Sequence, residues 1–298
     1  MRRANAIVAF SAAVAFGFPA FVAADGDSKR GEIVFRAGNC TSCHTDLKNK
    51  GALLAGGRAL ATPFGVFYGP NITPDPVHGI GRWSDADFTR ALRRGVSPRG
   101  EHYFPVFPYA AFTGLSDRDL RDLKAYIFTL PAVAKANRPH DVSFPFNLRL
   151  GAMVWKWLYF REGALEEDPT RDAAWNRGRY LVEAAGHCAE CHTQRDRLGG
   201  LKRAAWLAGS RDGAEGKPTP NITPDRETGI GGWSPADLAY FLENGTLPDG
   251  DVAGGLMAEV IKHGTGRLPA EDRRAMTAYL KSLPPIVNVV RSARASPR

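Results

Sequence analysis

The chain repeats itself. The stretch NITPDPVHGIGRWSDADF from Asn71 returns as NITPDRETGIGGWSPADL from Asn221, 150 residues later. LSDRDLRDLKAYIFTLP from Leu115 matches LPAEDRRAMTAYLKSLP from Leu268, and the pentapeptide CTSCH at 40–44 is matched by CAECH at 188–192. Self-similarity of this length means two homologous units, so every motif has to be read twice. The 298 residues suit two domains of about 100–150 residues each.

The local signals are helical. Residues 28–38 and 171–187 carry apolar side chains at helical spacing and run into the two pentapeptides. Ser84 and Ser234 each follow a Trp and suit a helix N-cap, with Asp87 and Asp237 three residues on; Gly95 and Gly245 then stop the helix. Final helices are expected from near Ser116 and Pro269 to just before Pro131 and Pro284. Gly- and Pro-rich loops fill the rest, and no alternating pattern marks a strand. The expectation is all-α, with domains at 25–130 and 171–285 joined by an interdomain segment, 131–170, that has no repeat partner.

The two pentapeptides use all four cysteines, Cys40, Cys43, Cys188 and Cys191. A Cys-x-x-Cys disulfide is strained and needs no following His. A zinc site made from the four thiols leaves His44 and His192 as coincidences. A thioredoxin-like site needs one motif in a strand-then-helix setting. Cys-x-x-Cys-His asks for all three residues when the thiols add to the vinyl groups of a haem and the imidazole becomes the proximal iron ligand. Two covalent c-type haems are the expectation, with His44 and His192 as proximal ligands.

Export agrees with that chemistry. Arg2 and Arg3 precede an apolar run from Ala6 to Ala23, and Val22-Ala23-Ala24 suits a cleavage point, so residues 1–24 read as a signal peptide cleaved after about Ala24, with the mature chain periplasmic. The formal charge is +8; without Arg2 and Arg3 it is +6, from 37 basic and 31 acidic side chains. This mild excess is spread along the chain and does not indicate nucleic acid. Residues 286–298 form a basic tail expected to be disordered.

Three or four short helices around a covalent haem, the first entering the CxxCH motif, are the class I cytochrome c architecture. The chain resembles dihaem c-type cytochromes, in particular the cytochrome c subunits of bacterial alcohol, gluconate and aldehyde dehydrogenases. The likeness rests on GGRALATPFGVFYGPNITPD, GIGRWSDADF, FPVFPYAAFTGLSDRDL and AYIFTLP with their second-half equivalents, and it covers nearly all of 28–285. It implies electron transfer from a dehydrogenase to another cytochrome, a quinone or an oxidase, with peripheral membrane association open. The competing class is a dihaem redox enzyme of peroxidase or thiosulfate-oxidising type.

The resemblance also points to the sixth iron ligands. Met257, 36 residues after Asn221, stands in a stretch, GGLMAEV, read as a loop, where related cytochromes place a ligand. The equivalent first-half position is Phe107, which cannot bind iron. Three solutions stay open for the first haem: His102 as ligand, Met153 reaching in from the interdomain segment, or an iron with no strong protein ligand beneath Phe107. Met276 aligns with Leu123 and reads as core. Pro70 and Pro220 are candidates for the carbonyl that accepts the proximal His N–H. Trp83 and Trp233 are candidate haem-pocket residues, with helix packing an equal reading. The segment FNLRLGAMVWKWLYF in 131–170 is expected to be a helix packed between the domains, with a docking surface as the other reading.

Overall fold

The computed structural model describes residues 26–290, so the signal peptide and the last eight residues of the basic tail lie outside the described residues. In the first half α1 (Ser28–Ala37) leads through Asn39 into α2 (Cys40–His44), followed by α3 (Asp85–Arg94), α4 (Tyr109–Phe112) and α5 (Asp117–Phe128). Residues 131–170 hold α6 (Arg149–Tyr159). The second half repeats the order with α7 (Ala173–Arg179, continued by a π turn at Tyr180–Ala185), α8 (Ala189–His192), α9 (Pro235–Asn244), α10 (Gly255–His263) and α11 (Ala270–Ser282).

Both capping boxes form. Ser84 Oγ accepts from the Asp87 N–H and Asp87 returns a bond to the Ser84 N–H; Ser234 and Asp237 do the same. Gly95 and Gly245 end α3 and α9 in the left-handed conformation, where a side chain is disfavoured. The principal packing is α1 on α5 and α7 on α11. A Cβ on Gly31 would lie 1.9 Å from Asp122 O, and one on Gly178 2.0 Å from Ala275 O, so each crossing needs a glycine. Leu123 and Met276 are buried at matching places on α5 and α11.

Three short strands depart from the helical expectation. β1 (Ala59–Thr62) and β2 (Gly65–Tyr68) make a hairpin, and β3 (Asp141–Val142) pairs with β2 through Gly65↔Val142 and Val66↔Asp141. Strands of four and two residues are too short to show a period of two, and β3 is defined only by its partner.

The interdomain segment is also less unmatched than its sequence suggests. Asn71 Nδ2 donates to Val133 O (2.8 Å) and Lys135 O (3.0 Å), while the Val133 N–H donates to Thr73 Oγ1. In the second half Asn221 Nδ2 donates to Ile286 O (2.7 Å), and the Ile286 N–H donates to Thr223 Oγ1. Residues 286–290, expected within a disordered tail, thus form a strap equivalent to 133–137. The matching lies in backbone carbonyls, which carry no sequence signal.

Helix α6 packs between the halves on one face. Lys156 Nζ donates to Arg94 O and Gly95 O at the end of α3, and Tyr159 Oη donates to Asp196 of the second half. Its other face leaves Leu150, Met153, Val154 and Trp157 exposed. Among the described residues no helix is long and apolar enough to cross a membrane.

Candidate functional site

The two pentapeptides sit in nearly identical frames. The residue entering each turn is left-handed or close to it: Asn39 has φ 45° and His187, just before Cys188, has φ 41°. Beyond each turn, His44 O accepts from the Gly56 N–H and His192 O from the Gly209 N–H. Thr45 Oγ1 and Thr193 Oγ1 accept from the N–H of Leu54 and Leu207, each at 3.0 Å, and both leucines hold φ 59°. The carbonyls of those leucines then accept from Ile72 and Ile222. This chain of bonds delivers Pro70 and Pro220 to the histidines.

His44 Nδ1 lies 2.8 Å from Pro70 O, and His192 Nδ1 2.8 Å from Pro220 O. A carbonyl only accepts, so Nδ1 carries the proton and Nε2 is left with its lone pair. Burial lowers both imidazole pKa values, partly opposed by the carbonyl bond, so the rings stay neutral. A neutral imidazole with Nε2 bare and Nδ1–H anchored is the form that ligates a metal.

The thiols form no disulfide. Burial pushes Cys40 and Cys188 up to about 12 and Cys43 and Cys191 up to about 11. Burial thus keeps all four thiols protonated. Among the described residues no cluster of His, Cys, Asp and Glu is arranged to hold a metal by itself.

A cavity of about 2180 Å³ touches both motifs. Cys40, Cys43 and His44 border it from the first half, and Glu190 and Cys191 from the second. The first-half wall is apolar and includes Phe88, Leu92, Phe112, Leu115 and Ile127. Free thiols, an oriented imidazole and an apolar slot fit a covalent haem.

Of the other expected residues, Trp83 and Phe107 line this cavity, with Tyr103 and Phe112 packed edge-on or tilted against Phe107 at 5.7 Å. Trp233 instead packs on Phe241. His102 is turned away. Its segment pairs antiparallel with Val96, so its neighbours Glu101 and Tyr103 face the cavity, whereas His102 Nδ1 is 3.0 Å from Lys156 Nζ. Met153 lies on the exposed face of α6. Met257 is half-buried in the first turn of α10, a helix rather than the expected loop.

Sequence reasoning passed over several residues that border this region. His140 accepts the Tyr68 N–H at Nδ1 and lines the cavity. His187 packs edge-on against Phe112, with its Nε2 3.2 Å from Gly38 O, joining the halves. Arg58 is buried and reaches Glu215 and Glu259. None stands in a motif, and the isolated residues carried no signal of these long-range partners.

Comparison with known proteins agrees with this chemistry. The cytochrome c family pattern matches residues 28–131. A dihaem c-type cytochrome of Cereibacter sphaeroides is 46% identical over 277 residues, covering 89% of each chain. The fructose dehydrogenase cytochrome subunit of Gluconobacter japonicus is 40% identical over 86% of this chain and 52% of its own length. The cytochrome c subunit of the quinone-dependent alcohol dehydrogenase of Gluconobacter oxydans is 37% identical over 92% of this chain and 59% of its own. The chain thus spans little more than half the length of these two dehydrogenase subunits.

Proposed function

The chain belongs to the cytochrome c family, and on that premise we propose that it is a periplasmic electron-transfer protein with two covalent haems in tandem class I domains. It takes electrons from a dehydrogenase and passes them to a cytochrome, quinone or oxidase. The relatives that are dehydrogenase subunits support the donor class. The observation that carries the reading is the duplicated frame: two Cys-x-x-Cys-His turns, each with its imidazole held to a proline carbonyl at 2.8 Å, bordering one cavity.

When bound, each haem supplies a one-electron iron couple. The chain's part is to hold and insulate. Cys40 and Cys43, and Cys188 and Cys191, tether; His44 and His192 ligate through Nε2. Pro70 and Pro220 orient the rings and strengthen their basicity. The α6 contacts, with those of His187 and Arg58, fix the halves relative to each other, which transfer across a gap requires.

Met257 is the proposed sixth ligand of the second haem, placed by the repeat. For the first, the turned-away His102 and exposed Met153 favour the third solution, an open position beneath Phe107. Methionine ligation would raise the potential of the haem held beside Met257, which would favour transfer from the first half to the second. Haem content by pyridine haemochrome tests the reading: two haems per chain are expected, and one or none overturns it. Potentiometric titration tests the direction: two separated midpoints are expected, and equal ones refute it.

The enzyme reading gains from Arg99 and Glu101, which line the cavity near Phe107. Carbon monoxide bound by one haem per chain, with peroxide turned over, supports it; carbon monoxide binding without turnover leaves a carrier.

A further inference from the structure

Arg58 is the residue least explained by its own half of the chain. Its side chain is 3% exposed. Nη1 donates to Glu259 Oε1 at 3.2 Å and Nη2 to Glu215 Oε1 at 3.4 Å, partners 201 and 157 residues away. Two carboxylates thus face one guanidinium, and Arg58 Nε and Glu259 Oε2 are buried without a hydrogen-bond partner among the described residues. A cluster of buried charges is expensive as pure stabilisation, and an apolar replacement is often as stable. Its position suggests another use.

Arg58 O accepts from the Gly69 N–H at 2.9 Å, one residue before the Pro70 carbonyl that orients His44. Glu259 stands on α10, which packs against the Cys40–His44 turn, and Glu215 lines the cavity. Both halves therefore place charge beside the first attachment site.

We propose that the Arg58–Glu215–Glu259 cluster sets the reduction potential of the haem held by Cys40, Cys43 and His44, and couples that potential to the docking of the second half. This rests on the two-haem reading. Oxidised haem carries one more positive charge than reduced haem, so a nearby cation disfavours oxidation and a nearby carboxylate favours it. Arg58 is buried, and Glu215 and Glu259 are 20% and 27% exposed, so solvent screens the cluster only in part. Because the two carboxylates come from the second half, the cluster has a net charge of −1 only while the halves are docked, and Arg58 alone leaves +1.

The test compares midpoint potentials in the full holoprotein. Arg58→Met is expected to lower one of the two midpoints and Glu259→Gln to raise the same one, with Arg58→Lys closer to the parent than Arg58→Met. General loosening of the interface would move both variants in one direction. Two haems with unmoved midpoints, or shifts of equal sign, overturn the proposal; a haem count below two in the parent protein overturns the earlier reading instead. If Arg58→Met yields no holoprotein, Glu259→Gln decides alone, because Glu259 is 27% exposed and its amide keeps the shape. A raised midpoint supports the proposal and an unchanged one refutes it.

Discussion

The two halves agree on one side of the haem site and part on the other. On the proximal side the frames match bond for bond, from the Thr45/Thr193 hydroxyls to the Pro70/Pro220 carbonyls. Beyond that frame the first half lines the cavity with Phe107 in an aromatic group, whereas the equivalent second-half residue is Met257 on α10. The first half also has a hairpin with no counterpart among the described residues of the second. Attachment depends on a short contiguous motif and duplicates intact. The positions equivalent to Phe107 and Met257 lie outside that motif, one just before α4 and the other within α10, and they differ in residue type and in local structure.

The largest expected effect comes from making the halves alike. Phe107→Met is expected to raise the potential of the first haem and suppress carbon monoxide binding. Met257→Ala is expected to lower the second midpoint and open that haem to carbon monoxide, turning it into a copy of the first. Unchanged potentials in both variants would mean that the difference between the halves lies elsewhere.

A change applied equally to both should cost both. Gly31→Ala and Gly178→Ala each drive a methyl into a backbone carbonyl at about 2 Å, and overpacking of this kind costs roughly 1–3 kcal/mol. Thermal unfolding should show similar losses for the two variants. A loss in only one would show that the two crossings are not equivalent.

The straps are a finer probe. Asn71→Ala and Asn221→Ala leave part-buried strap carbonyls and the buried N–H groups of Thr73 and Thr223 unpaired, and release the loops that carry Pro70 and Pro220. The loss is roughly 1–3 kcal/mol for each site. Proteolysis should then cut near 133–137 in the first variant and near 286–290 in the second.

The smallest effect separates the halves by pH. Lys156 is pulled down to about 8 by burial, from an ordinary lysine value of 10.5. Between those values the unfolded chain binds more protons than the folded one, so stability rises with pH across that window. The two carbonyl bonds made by the ammonium oppose this and keep the rise small. Unfolding followed from pH 8 to 10 should show a rise that Lys156→Met removes; an identical slope in the variant would assign it to another group.

Much of the molecule was legible because its determinants are local. The capping pairs Ser84–Asp87 and Ser234–Asp237 formed as spaced, and the long helices end within a few residues of the expected Gly and Pro stops. The proline-carbonyl contact was legible through the resemblance. The direction in which His102 points was not legible, because a pairing with Val96 and a contact with Lys156, 54 residues away, set it. The hairpin was missed because its strands are too short for a periodic signal.

By itself the sequence determined the duplication, the four motif sulfurs, the two motif imidazoles and the helices between caps and stops. Each follows from residues a few positions apart, where spacing and chemistry are the same thing. The tertiary structure alone decided that α6 covers the first half, that equivalent straps close both halves, and that Arg58 meets carboxylates from across the chain. Those contacts join residues tens to hundreds of positions apart and use backbone groups or single charges, and their energy exists only once the halves are packed.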